Sequence, residues 1–433
     1  MKSIYDHLLE WNNISPDYSF IHYKSSFKLN DVLHEINSIS TFLREIPSQY
    51  IGIYMESSID AIFLYLASIK VKKTPIIFNY FWGNDNLNQV ISKYGINHII
   101  CSWDKKKKIN CSASVYYFEE ILNSSKGCGI PSDLNKNIDF ESILFTSGTS
   151  GDPKAVCLTK KNFLMSSKAW NHELNFKKED QYVLCLPVYH IAGLSIIYRS
   201  IYYKFQVQII DSYRDLNKVK GTIISLLPSI LNRIIDDDKY IKILSSYRVI
   251  VLSGEPADKK LLLKCIKLKL SIFISYGMTE TCSGISGFWL HEHPDKLQSA
   301  GRKFKGVSIT EQDGYISIKS DMNMKRYFLQ EDLESNFITS DKGEIRNEFI
   351  YIHSRDESII SGGEKVNLMQ IKNILLGHKA IDDVNIKIYK SKQWGQAIEA
   401  SIVLNQKIRK EDLKDWCKNK LPKYSIPKKI KLL

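Results

Sequence analysis

No apolar run in this 433-residue chain approaches the ~20 residues that cross a bilayer, and the segment Ile62 to Ile69 is short enough to be a buried helix. The opening Met1-Lys2-Ser3-Ile4-Tyr5-Asp6 lacks the apolar core and small-residue cleavage site of a signal peptide. Together these absences lead to the expectation of a cytoplasmic protein without a membrane partner. The eight cysteines include no C-x-x-C pair, which suggests neither a zinc site nor a disulfide framework, so they read as reduced thiols. His291 and His293 form H-x-H between polar residues, and with no third ligand in view they read as loop residues. Internal repeats and low-complexity tracts are missing. The lysines behind a net charge of +13 are spread over the chain, with one compact run at Lys105 to Lys108 and no interleaved aromatics. Nucleic-acid binding is therefore not expected. A positive field of this kind still attracts phosphate-bearing metabolites.

The length exceeds what one core usually supports, so two to four structural units are expected. Strand-like and helix-like segments alternate through the first half. Ile51 to Tyr54, Pro75 to Asn79 and Ile96 to Cys101 read as buried strands; Ser58 to Lys70 and Asp85 to Lys93 read as helices. This alternation predicts βαβ units, with a parallel sheet covered on both faces. Further strands at Tyr182 to Leu186, Val207 to Ile210, Ile223 to Leu227, Val249 to Leu252 and Leu270 to Ser275 continue the pattern. Three of them run into polar clusters: Pro187-Val188-Tyr189-His190, Ser253-Gly254-Glu255-Pro256 and Tyr276-Gly277-Met278-Thr279-Glu280. Ligands of α/β sheets lie beyond the carboxyl ends of strands, so one shared cleft is expected there. From Asp313 onward short alternating strands, as in Tyr315 to Lys319 and Glu348 to His353, predict a β-rich subdomain. A boundary is expected near Asp356, dividing a domain of residues 1–355 from a small α+β domain of residues 356–433.

Between the two halves of the first pattern stands Thr146-Ser147-Gly148-Thr149-Ser150-Gly151-Asp152-Pro153-Lys154. Glycines expose backbone N–H groups and a lysine adds a point charge, a combination suited to phosphate. The spacing G-x-x-G-x-x-K differs from the G-x-x-x-x-G-K-[ST] loop of nucleoside triphosphatases. Taken alone, the stretch is either a phosphate loop or a hydroxyl-rich surface turn.

Five clusters in order extend the reading: this loop; Leu186-Pro187-Val188-Tyr189-His190; Tyr276-Gly277-Met278-Thr279-Glu280; Thr339-Ser340-Asp341-Lys342-Gly343; and Arg355 through Val366. In this combination the chain resembles the adenylate-forming family of acyl- and aryl-CoA synthetases over essentially its whole length. Leu186 to Ser195, Arg199 and Ile360-Ser361-Gly362-Gly363-Glu364-Lys365-Val366 are similar to the branch that activates o-succinylbenzoate for menaquinone or phylloquinone. The resemblance implies a layered α/β N-terminal domain, a small mobile C-terminal domain and ATP, Mg²⁺ and CoA as co-substrates and cofactor. Its partner molecule is a small carboxylic acid. Whether copies form a homo-oligomer is left open.

Residue roles follow from the resemblance. Thr146, Ser147, Gly148, Thr149, Ser150, Gly151 and Lys154 would hold the β- and γ-phosphates, and flexibility of their loop would let pyrophosphate leave. Thr279 would meet the α-phosphate, and Glu280 with Thr149 the Mg²⁺, an oxygen-seeking cation. Tyr276 and Gly277 would border adenine, with Gly254, Glu255 and Pro256 along its edge, and Asp341 would take both ribose hydroxyls. His190, Gly193 and Ser195 would border the acid. Arg199 would either pair with a second carboxylate, as on o-succinylbenzoate, or cap a helix or meet an acidic neighbour. Asp356 would be the hinge, with Gly362 and Gly363 along the pantetheine path.

Two departures from the family pattern accompany these roles. The family writes Gly-Arg-x-Asp at the hinge, whereas His353-Ser354-Arg355-Asp356 displaces the arginine expected at ribose by one position. The adenylation lysine of the family lies in a Gly-Lys motif after a segment like Leu421 to Ile430, and that motif is not found in residues up to Leu433. Slow adenylation, a substitute lysine or a longer chain would each account for this. The alternatives to an o-succinylbenzoate ligase are another acyl- or aryl-CoA synthetase, or a degenerate adenylate binder without turnover.

Overall fold

The computed structural model describes residues 1–103, 109, 111–123, 140–147, 153–333, 336–355, 358–404, 406 and 408–432. Two large sheets and one small sheet organise them. In the largest, strands Gln181–Leu184, Ile223–Leu226, Val249–Leu252 and Ile272–Met278 lie side by side and parallel. All residues of the middle two strands are buried, as expected where helices cover both faces. The second sheet contains the parallel strands Thr74–Ile77, Tyr50–Tyr54, His98–Cys101 and Ser114–Tyr117, continues through the antiparallel pair Ser142–Ser147 and Pro153–Leu158, and ends on the short strand Arg326–Tyr327.

Helix Leu29–Glu45 shows how pattern becomes packing. It buries Leu29, Val32, Leu33, Ile36, Ile39 and Leu43, a spacing of three and four that lines one face of a 3.6-residue helix. Each such side chain contributes about 1.5–3 kcal/mol on burial. Helix Ile59–Lys70 has instead an almost continuous buried run from Ile59 to Ile69, is capped by the Ser58 hydroxyl, and fills the space between layers. No helix among the described residues is long and apolar enough to cross a membrane.

The expected β-rich stretch is present, and its strands Val307–Gln312, Tyr315–Ser320, Phe337–Arg346 and Phe349–Arg355 continue the largest sheet rather than forming a sheet apart. Tyr276, Gly277 and Met278 belong to strand Ile272–Met278, paired with Ser283–Trp289, where the sequence suggested a turn. Only Thr279–Thr281 turns. The small domain is built on a five-stranded sheet drawn entirely from residues 358–432, with helices Leu368–Leu376 and Lys410–Lys420 and a core of its own around Ile371, Val384, Ile398, Ile402 and Leu413.

Candidate active site

The opening motif is the end of a strand pair. Thr146 lies opposite Lys154 and Ser147 opposite Pro153 in the ladder of Ser142–Ser147 with Pro153–Leu158. Gly148, Thr149, Ser150 and Gly151 lie outside the described residues, as does Asp356. The short strand Arg326–Tyr327 pairs with the outer side of Pro153–Leu158 and delivers Tyr327 to the site. The Tyr327 ring carries the Lys154 ammonium 5.2 Å from its centroid, and its hydroxyl donates to Glu280 Oε1 at 3.1 Å. Thr146 Oγ1 donates to the same oxygen at 3.4 Å. Burial and the Glu280 charge both push the Tyr327 phenol up, which keeps it a donor. The strand pair and the Thr279–Thr281 turn thus bring Thr146, Lys154 and Glu280 together through a residue that no motif had marked.

A second set forms at the carboxyl ends of the parallel strands. Tyr276 donates its hydroxyl to Asp341 Oδ2 at 2.6 Å, and Asp341 is buried on strand Phe337–Arg346. Asp341 pairs in register with Arg355, the last residue of strand Phe349–Arg355. At Gly277 a Cβ would come within 2.1 Å of the Ser283 carbonyl oxygen, so only glycine lets the two strands close here. Gly254 follows Val249–Leu252 with φ +84°. Glu255, next in the chain, accepts from the backbone N–H of Ser229 and from it borrows its fixed position; burial raises its carboxyl pKa. Pro256 completes the turn. Thr279 opens the turn that carries Glu280, and its carbonyl accepts from Cys282 N–H at 3.0 Å.

His190 caps helix Ile191–Tyr203. Gly193 allows that helix to lie against the preceding turn, because a Cβ there would sit 2.3 Å from the Pro187 carbonyl oxygen. Ser195 is buried with its hydroxyl turned back to the Ala192 carbonyl at 3.4 Å. Arg199 is 2% exposed, stacks its guanidinium 4.2 Å from the Trp170 ring centroid and donates from Nη2 to Ser283 Oγ at 2.8 Å. Its Nε has no hydrogen-bond partner, and it makes no ion pair with a carboxylate among the described residues. Burial, offset in part by Tyr182 and Cys282, pushes its pKa down to about 10. Both Cys282 (φ +51°) and Ser283 (φ +100°) hold left-handed backbone, a strained pair beside the arginine. This strain follows directly on the Glu280 turn.

The small domain reaches into the same region. Its strands Ser358–Ser361 and Glu364–Asn367 form a hairpin whose tip holds Gly362 (φ +60°) and Gly363 (φ +86°). A Cβ on Gly363 would lie 2.3 Å from Leu227 Cδ1, and one on Gly362 2.9 Å from the Trp394 ring. Glu364 Oε1 accepts from His190 Nε2 at 2.8 Å, and Asn79 Nδ2 donates to both Glu364 oxygens at 3.3 Å. Burial disfavours the imidazolium, but the Glu364 charge and hydrogen bond outweigh it and leave the His190 pKa above its ordinary value. Tyr424 stands at 3.4 Å from Asn79. Glu364 lies in a family-like cluster without an assigned task, and Asn79, Tyr327 and Tyr424 carry no local signal of a role here. Among the described residues no group of three or more His, Cys, Asp or Glu is arranged to hold a metal ion.

The end of strand Ser142–Ser147 lies against both the Thr279–Thr281 turn and strand Glu364–Asn367 of the second domain's hairpin. Residues 9–328 match the AMP-binding enzyme family and residues 370–433 its C-terminal domain family, so the chain belongs to the AMP-binding enzymes. It is 33% identical to the 2-succinylbenzoate–CoA ligase of Bacillus subtilis strain 168, a match over 67% of this chain that spans 64% of the relative, just under two thirds of its length. To the ligase of the same name from Bacillus cereus strain ATCC 10987 it is 27% identical, over 99% of this chain and 94% of that one. Among solved structures, the Bacillus subtilis o-succinylbenzoate CoA synthetase double mutant bound to the product analogue OSB-NCoA superposes with a TM-score of 0.90 at 24% identity, covering 99% of this chain and 94% of that chain. The same enzyme in complex with ATP and magnesium ion gives 0.75 at 24% identity, over 99% and 95%. The amide bond synthetase of Marinactinospora thermotolerans shares the fold at 0.88 and 15% identity, over 100% and 96%.

Proposed function

We propose that the chain is an AMP-forming acid–CoA ligase of the cytoplasm whose acid is o-succinylbenzoate. The observation that carries the chemistry is the meeting of Thr146, Lys154 and Glu280 around Tyr327, beside Tyr276 and Asp341. Lys154 and the hydroxyl-rich strand end suit the outer phosphates, and Asp341 suits vicinal ribose hydroxyls. Glu280, with Thr146 and Tyr327 as neighbouring oxygens, fits Mg²⁺, which takes one or two carboxylates and completes its shell with water and phosphate oxygens. When bound, the ion neutralises charge developing on the phosphates. The acid's carboxylate oxygen attacks the α-phosphorus and the bond to pyrophosphate breaks; the CoA sulfur then attacks the acyl carbonyl and the bond to AMP breaks. The chain's own part in both steps is to hold the reacting atoms in line and to meet charge with fixed donors.

The choice of a diacid rests on Arg199. A buried guanidinium without a carboxylate is costly, and a second carboxylate on the substrate would relieve that cost. The names of the relatives favour the same acid. The two Bacillus subtilis superpositions, one on a double mutant with a product analogue and one on the ATP and magnesium complex, score 0.90 and 0.75 at one identity, a gap we attribute to conformation rather than to the two substitutions. We read the higher score as a small domain placed for the second step, with its glycine hairpin along the pantetheine path and a hinge at the 355/356 boundary of the two domains. Exchange of labelled pyrophosphate into ATP that depends on added o-succinylbenzoate tests the reading. Exchange without dependence on any acid, or none with o-succinylbenzoate while a monocarboxylate supports it, overturns the choice of acid; binding of ATP with no exchange at all identifies a degenerate adenylate binder.

A further inference from the structure

We infer that the cleft between the end of helix Asn84–Tyr94 and the segment Tyr327 to Gln330 receives inorganic pyrophosphate, as a station outside the position of ATP's own phosphates. The cleft has a volume of about 200 Å³ and is lined by Lys93, Tyr94, Lys154, Tyr327 and Gln330 together with Phe328 and Leu329. Among the described residues of its lining stand two cations and no Asp or Glu. Each ammonium lies over an aromatic ring: Lys93 is 5.5 Å from the Tyr94 centroid and Lys154 5.2 Å from that of Tyr327. Two ammonium groups and an amide are chemically suited to a compact polyanion.

The backbone is arranged to serve this cleft. The Tyr94 hydroxyl donates to the Pro153 carbonyl at 3.0 Å and accepts from Ala155 N–H at 3.3 Å, clamping the chain on both sides of Lys154. Leu329 is 67% exposed and holds φ +66°, a strained and apolar tip next to Gln330 that packing within the fold does not explain. Tyr327 joins the cleft to the reaction site, since the ring that carries Lys154 also bonds Glu280 through its hydroxyl. An anion passing from the Glu280 side to the cleft therefore keeps Lys154 as a counter-charge throughout and gains Lys93 at the outer end. Without a second cation, a highly charged leaving group would have to part from Lys154 in one step.

This inference rests on the ligase reading, and the experiment separates the two. Binding of inorganic pyrophosphate and, separately, of ATP with Mg²⁺ is measured by titration calorimetry on the whole chain and on K93A, K93R and Q330A. Lys93 is at the surface, so its variants are expected to fold. Pyrophosphate is expected to bind K93A about tenfold more weakly, the effect of removing one screened charge from a polyanion, with K93R near the parent and ATP within about twofold throughout. Equal pyrophosphate affinity in parent and K93A, equal losses for pyrophosphate and ATP, or no pyrophosphate binding by the parent overturns the station. Failure of every form to bind ATP overturns the ligase reading instead, while the pyrophosphate titrations still judge the cleft.

Discussion

Replacing Glu364 by Gln removes one charge from the contact between the small domain and His190 while keeping an acceptor of the same shape. The pair is 2.8 Å long, with 30% of the histidine side chain and 13% of the glutamate side chain exposed. For unit charges at that distance, an effective dielectric of about 60 gives about 2 kcal/mol, and solvent screening of a partly exposed pair leaves about 1–1.5 kcal/mol. Docking of the hairpin should weaken roughly tenfold. Pyrophosphate–ATP exchange reports the first half-reaction, and transfer from preformed acyl-adenylate to CoA reports the second. Glu364→Gln is expected to slow the second about tenfold and leave the first within about twofold. The pH dependence has a definite sign. Because the Glu364 pairing raises the His190 pKa, its stabilisation of the docked arrangement is complete below the ordinary histidine value of 6.5 and is lost as pH rises through the raised value. The second half-reaction of the parent should therefore decline with rising pH relative to the first, and the variant should flatten that decline. Equal slowing of both half-reactions, or an unchanged pH profile, refutes the reasoning.

Three further outcomes are expected. Glu280→Gln should lower exchange by roughly 10²–10³-fold, as for loss of one fixed group at a developing charge, with thermal stability little changed; exchange at the parental rate removes Glu280 from the metal site. Arg199→Met should raise the melting temperature, because it removes a buried cation with no carboxylate partner among the described residues, yet raise KM for o-succinylbenzoate far more than for an analogue without the ring carboxylate. Equal effects on both acids would return Arg199 to a purely structural role. Gly363→Ala should impair CoA transfer with exchange intact, since its φ of +86° and the 2.3 Å approach of a Cβ to Leu227 both oppose the docked hairpin.

Much of this architecture was legible because period and burial speak through local sequence. The segment Ser58 to Lys70 reads as a helix from its periodicity, and helix Ile59–Lys70 is nearly all buried. The run Val249 to Leu252 reads as a doubly covered strand and is one. The extension of strand Ile272–Met278 through Tyr276 and Gly277 was illegible, because glycine and tyrosine before a polar turn look like loop, whereas pairing to Ser283–Trp289 keeps them extended. The site divides in the same way. Motif residues were legible through resemblance to the family's clusters, but Tyr327 reaches Glu280 only because a two-residue strand adds to the edge of Pro153–Leu158, 47 positions from its partner. Asn79 and Glu364, 285 positions apart, meet only once a second domain docks. Contacts of that kind have no periodicity to betray them.

The His190–Glu364 contact also bears on the order of the two half-reactions. His190 Nε2 has one proton to direct, and here it is given to a carboxylate of the small domain. On the proposed reading the acid's own carboxylate competes for the same imidazole before adenylation, so a bound, unreacted acid opposes hairpin docking. Forming the acyl–phosphate bond turns that carboxylate into an uncharged acyl group, which is a far weaker acceptor. The competitor thus disappears at the moment its chemistry is complete, and Glu364 regains the imidazole. A ligand can shift a two-state arrangement only by its differential interaction with the two states, and here the reaction itself supplies the difference. The unreacted acid should therefore weaken docking of the hairpin, whereas its adenylate, neutral at the same position, should leave docking unopposed.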